Sequence, residues 1–167
     1  MAFDAFLKLV NSNGTPVPGE SLDAVHKGEI QILGYNFNVT NHGSLGSATG
    51  GAGAGKATFG DFQFSTNESK ASLSLFQACA SGNHFQKAIV ALRKAGGERN
   101  FEFMQITMSP VFVSSFNSGG SSGDDVPHDE VHLSYGAIHF QYTPQKPDGS
   151  ADTPTTAGWD LKLNKQA

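Results

Sequence analysis

The chain has 167 residues, one cysteine and a net charge of −4 at neutral pH. That length suits one domain burying roughly 70% of its unfolded surface. The lone Cys79 excludes an internal disulfide framework, and the acidic balance, without a basic run, argues against a nucleic-acid binder. No apolar run approaches the roughly 18 residues of a membrane span, so membrane insertion is not expected. The start, MAFDAFLKLV, has neither a basic n-region nor a cleavage site, so no cleaved signal peptide is expected. Twenty glycines and thirteen phenylalanines suit strands with tight turns and aromatic faces.

In chain order, Phe3 to Val10 reads as a strand, with Ala5, Leu7 and Leu9 on one face. Asn11 to Gly19 is loop, and the polar stretch Glu20 to Glu29 has order to gain only from tertiary contacts. Ile30 to Val39 forms a second strand whose apolar phase slips at Leu33–Gly34, the mark of a β-bulge. Thr40 to Lys56 contains almost no large side chain and reads as an arm that orders against another body. Ala57 to Phe64 is a strand with Phe62 and Phe64 on one face.

A short helix follows. Leu75, Phe76, Cys79 and Ala80 cluster at helical spacing, and Gly82 ends it. Ser65 with Glu68 fits a capping box and Ser72 fits an N-cap; the Ser-Leu-Ser-Leu alternation of 72–75 favours the later start. Cys79, on the apolar side, is expected to be a buried, inert thiol. Residues 85–95 alternate as a strand that Gly96-Gly97 turns into a hairpin. Arg99 to Phe116 is a strand pair or one bent strand, with Pro110 at an edge, bend or bulge. Residues 117–129 form a flexible acidic loop, and Val131 to Tyr142 a strand with a phase slip at Gly136. Residues 143–158 are a connection, and Trp159, Leu161 and Leu163 alternate in a final strand. Six or more strands and one helix imply a mainly β fold, a closed or nearly closed barrel.

Catalytic motifs are weak throughout. Residues 50–56 match GxxxxGK, but phosphate binding needs Ser or Thr next and a helix; Ala57 and a strand pattern follow. The six histidines show no i,i+4 pair, CxxC or HExxH, and no GxSxG occurs, so neither a metal, a cofactor nor a catalytic set is expected. Asn38-Val39-Thr40 and Asn67-Glu68-Ser69 match glycosylation sequons that lack a secretory context. Unpaired strand edges and glycine-rich arms suit association with other copies, closing into rings if the contact is head-to-tail.

Several stretches, in order, resemble the Hcp tube proteins of the type VI secretion system. They are Phe6-Leu7-Lys8, Gly19-Glu20-Ser21 with Asp23, His26 and Glu29-Ile30, the run Phe76 to Phe85 (FQACASGNHF) and Arg93 to Gly97. Val113 to Phe116, Tyr142 to Gln145 and Gly158-Trp159-Asp160 complete the set, while Leu73 departs from the proline often found there. The resemblance implies one domain over 1–167, a β-barrel of two packed antiparallel sheets with one short flanking helix and no catalytic site. It implies homohexameric rings that stack into a tube, partnered by sheath, spike and effector cargo in the lumen, assembled in the cytoplasm and then secreted. On that reading the arm 40–56 and the loop Ser114–Asp129 join rings end to end. The interface candidates are Thr40, His42, Ser44, Leu45, Lys56, Ser115, Asp124 and Asp125. The alternative is a monomeric ligand-binding β-barrel with a closed apolar cavity, and an enzyme ranks third.

Overall fold

The computed structural model describes residues 2–43, 45–46, 55–94 and 101–167. The strands are β1 (Phe3–Asn11), β2 (Ile30–Asn36), β3 (Val39–Thr40), β4 (Thr58–Phe59), β5 (Phe62–Asn67), β6 (His84–Lys94), β7 (Glu102–Gly119), β8 (His128–Tyr142), β9 (Thr155–Asp160) and β10 (Lys165–Gln166), with one helix, α1 (Lys70–Ser81), between β5 and β6. The order β8-β5-β2-β1-β6-β7, with β7 pairing back onto β8, closes a six-strand antiparallel barrel. β9 and β10 extend the sheet beyond it, and β3 with β4 makes a separate two-strand ladder.

β8 is long because it serves three partners. β7 pairs along its whole length, while β5 takes His128–Leu133 and β9 takes Ala137–Tyr142 on the other edge. The interior is filled by side chains: Leu7, Leu9, Phe62, Phe64, Met108 and Leu133 are all essentially inaccessible. Burying such groups is the main stabilising term, roughly 1.5–3 kcal/mol for each large apolar side chain.

The bulge expected at Leu33–Gly34 is present as a register shift between Ile32 and Gly34 against β5. The phase slip at Gly136 is also present, and it crosses three strands at one level. Ala88, Met108 and Ile138 are neighbours and all buried, as are Phe85, Val111 and Tyr135, so each strand changes face over a step of three residues. Pro110 lies between Ser109 and Val111, which pair with Ala137 and Tyr135. A Cβ on Gly136 would come within 2.8 Å of Pro110 Cδ, so only glycine fits there.

Several boundaries differ from expectation. The helix begins at Lys70 rather than near Ser72. Ser69 is the N-cap and Ser72 is the third helical residue, whose hydroxyl accepts from the Ser69 N–H to complete a capping box. The buried helix side runs through Ala71, Ser72, Leu75 and Ala78; Phe76 points outward at 58% exposure, and Cys79 is half-buried. Gly82 ends the helix in the left-handed region as expected, φ 70°. The second strand stops at Asn36, and the expected 57–64 strand divides at Gly60–Asp61 into β4 and β5. β7 runs as one strand to Gly119, so the loop expected over 117–129 spans only 120–127. The strand expected over Trp159–Leu163 lies earlier, as β9, with Leu161 and Leu163 in the turn that leads to β10. The expected Gly96-Gly97 hairpin lies outside the described residues.

Candidate functional site

Strand direction places the interface candidates at two opposite ends of the barrel. β1 and β2 are antiparallel, so β2 finishes where β1 begins. The chain leaves there into β3, the arm and β4, and returns to begin β5. Thr40, His42, Leu45 and Lys56 belong to this end and all are exposed, Leu45 at 87%. Ser44 lies outside the described residues. The other end holds the finish of β1, β5 and β7 and the starts of β2, β6 and β8. Ser115 is half-buried near the finish of β7, and Asp124 and Asp125 are exposed in the 120–127 loop. Asp124 Oδ2 accepts from the Ser121 N–H at 3.0 Å, tightening that loop. The structure therefore does not bring the candidates together; it splits them between two unlike poles.

The helix contributes a third surface. Leu73 and Phe76 project outward, and Phe76 meets Phe116 edge-on with ring centroids 6.1 Å apart. Large apolar groups exposed side by side mark a contact surface more often than isolated ones do. α1 is anchored from beneath by the Ser72 hydroxyl, which donates to the buried Asp129 carboxylate of β8.

Sequence reasoning assigned no role to the residues that fasten the 20–29 segment. This segment folds over the outward face of β1 and β6. Asp23 Oδ1 accepts from Arg93 Nη1 at 3.0 Å, Oδ2 accepts from Nη2, and Nη2 also reaches Asp4 Oδ2 at 3.4 Å. The guanidinium carbon sits 4.9 Å from the Phe6 ring centroid, and His26 stacks on the same ring at 4.6 Å. His26 Nδ1 lies 2.8 Å from Glu29 Oε2 and Nε2 2.6 Å from Glu102 Oε1. Hydrogen bonding to Arg93 holds the Asp23 carboxyl well below the usual carboxylate range, and Asp23 in turn raises Arg93. The only sequence signal for this cluster was the Gly19-Glu20-Ser21…Asp23…His26…Glu29 pattern, because its partners lie up to 89 positions away.

Among the described residues no group of three His, Cys, Asp or Glu is placed to hold a metal ion. Lys56, the last residue of the GxxxxGK stretch, is followed by Ala57 and the two-residue β4 rather than a helix. No described helix is long and apolar enough to cross a membrane.

Comparison with known proteins points in one direction. The profile of the family described as "Type VI secretion system effector, Hcp" matches residues 6–142. "Protein hcp1" of Pseudomonas aeruginosa is 39% identical over 168 residues, spanning all of both chains. A solved structure described as "a type six secretion system protein" superposes with a TM-score of 0.90 at 30% identity, covering 99% of this chain and 100% of that one. Hcp1 from Salmonella typhimurium superposes at 0.79 with 31% identity over 100% of both chains.

Proposed function

This chain belongs to the Hcp family of type VI secretion tube proteins, and from that membership we propose that it is the repeating subunit of the secretion tube. Six copies form a ring, rings stack end to end, and effectors travel in the lumen or at the tip. The protein assembles in the cytoplasm inside a sheath, beneath a spike, and leaves the cell with the tube. Its role is mechanical, and no residue carries out chemistry. The observation that carries this reading is the full-length likeness to Pseudomonas aeruginosa hcp1, together with a side-chain-filled barrel that leaves function to the surface.

Two features support the division of labour. The outward Leu73–Phe76–Phe116 surface of the helix flank, with the strand edges, suits side-by-side contact. The arm candidates Thr40, His42, Ser44, Leu45 and Lys56 and the opposite candidates Ser115, Asp124 and Asp125 suit end-to-end contact, since unlike ends pair head to tail. A monomeric carrier needs an internal cavity, whereas Phe62, Phe64 and Met108 are buried in one apolar core cluster.

The test is size-exclusion chromatography with light scattering, followed by negative-stain microscopy. The expected particle is a ring of six 17.6 kDa subunits. A population of single subunits at micromolar concentration would overturn the reading.

A further inference from the structure

The one Asn-Gly pair in the sequence, Asn13-Gly14, lies in the exposed turn that follows β1. The turn is tied at its base, where the Asn11 N–H donates to the Thr15 carbonyl at 2.8 Å and the Val17 N–H to the Leu9 carbonyl at 2.7 Å. Within it, two donors converge on one atom. The Thr15 N–H reaches Asn13 Oδ1 at 3.0 Å, and the Thr15 hydroxyl reaches it at 2.6 Å. A backbone N–H can only donate, so the atom facing Thr15 is the amide oxygen. Gly14 takes φ 89°, and nothing lies within 4 Å of where a Cβ would sit. The chain repeats this arrangement with an acid in place of the amide. In Asp148-Gly149-Ser150, Gly149 takes φ 87°, and Asp148 Oδ1 accepts from the Ser150 N–H at 2.9 Å and the Ser150 hydroxyl at 2.6 Å. Those bonds hold the Asp148 carboxyl below its ordinary value, so two donors set this way stabilise negative charge on Oδ1.

We infer that Asn13 is a self-modification site, converted by its own turn through a succinimide to aspartate and isoaspartate. The inference is independent of the ring reading. The Gly14 nitrogen attacks Asn13 Cγ; the new Cγ–N bond forms, the Cγ–Nδ2 bond breaks, and ammonia leaves with the proton lost from Gly14. Water then opens the five-membered imide. Opening at Cγ gives aspartate and restores the main chain, while opening at the Asn13 main-chain carbonyl gives isoaspartate. As the nitrogen adds, negative charge develops on Oδ1, where Thr15 already aims two donors. The Gly14 N–H donates to the Asn11 carbonyl at 2.9 Å, and that bond opens first, at an exposed turn where water replaces it. Asn11 differs because Ser12 follows it, and a side chain there crowds the attacking nitrogen. The aspartate product fits the turn, as Asp148 does its own, and adds one negative charge to the subunit's −4 at the barrel end opposite the arm. The isoaspartate product inserts a methylene into the main chain and loosens the Asn11–Thr15 pairing. The state of this turn therefore records a subunit's age.

The experiment ages the full chain in warm, mildly alkaline heavy-oxygen water and follows it by mass spectrometry. Trypsin cutting after Lys8 and Lys27 releases one peptide that holds both Asn11 and Asn13. Fragmentation should show heavy oxygen at Asn13, as aspartate and isoaspartate together, with Asn11 intact. Thr15→Val, which removes the hydroxyl donor at nearly constant shape, should slow conversion about fivefold, as expected for one exposed hydrogen bond. Thr15→Ser should restore the rate. Conversion of Thr15→Val at the wild-type rate, or equal labelling of Asn11 and Asn13, would overturn the inference. Unfolding the wild-type chain in urea covers the case in which Thr15→Val disturbs the turn. Folded protein should convert Asn13 at least as fast as the unfolded chain. An Asn13 that converts only when unfolded would mean that the turn protects it, which also overturns the inference.

Discussion

Arg93 shows how much one buried charge can hold. It closes the 20–29 segment onto the barrel through Asp23, Asp4 and the Phe6 ring. Arg93→Ala would leave two carboxylates without their partner, and urea unfolding should show a loss of about 3 kcal/mol. The acid limb follows from the direction of the Asp23 shift. A carboxyl whose folded pKa is depressed contributes stability that is complete above the unfolded value of about 3.9 and is lost as pH falls through the lower folded value. The segment should therefore stay docked at pH 4 and open only in stronger acid, and hydrogen exchange of residues 20–29 in Asp23→Asn should lack that acid dependence. Tyr135 marks the alkaline side. Burial first, and Asp61 second, push its phenol up to about 12, while its hydroxyl donates to the Gly60 carbonyl at 2.9 Å. A raised pKa contributes fully below the unfolded value near 10 and fades as pH rises toward 12. The melting temperature should fall across that interval, and Tyr135→Phe should remove the fall.

At the scale of elements, α1 depends on a polar latch. Ser72 joins the capping box to the Asp129 carboxylate, so Ser72→Ala strips a buried acid of its side-chain donor and should destabilise the fold by about 2 kcal/mol in chemical denaturation. The arm should behave in the opposite way. Deleting Gly50–Gly55 should spare both stability and the ring yet weaken stacking, and a monomeric deletion product by light scattering would recast the arm as a lateral element. These elements differ in how legible they were. The bulge at Gly34 and the face change at Gly136 showed as phase slips because burial alternates locally along a strand. The helix start did not, because Ser72 serves as third residue of the capping box, a role its one-dimensional context shares with an N-cap. β9 was hidden since its exposed Thr155–Ala157 carry no apolar alternation. The Asp23–Arg93 clasp joins positions 70 apart and leaves no local pattern.

At the scale of the whole molecule, the proposed assembly sets net charge against apolar contact. Six copies at −4 each would carry −24, so the proposed rings should repel one another at low ionic strength. Salt should strengthen stacking, most clearly near 1 M where the screening length is about 3 Å, and light scattering against salt would show it. Weaker stacking in salt would mean that ion pairs, and not apolar contacts, hold the ends together. The two ends of the barrel have further meaning. An object with a plug at one pole and a socket at the other has no self-terminating assembly: each addition regenerates the same free pole it consumed. Nothing in such a subunit counts. A filament built from it acquires polarity at the first addition, and its extent must be dictated by some external ruler or by the supply of subunits.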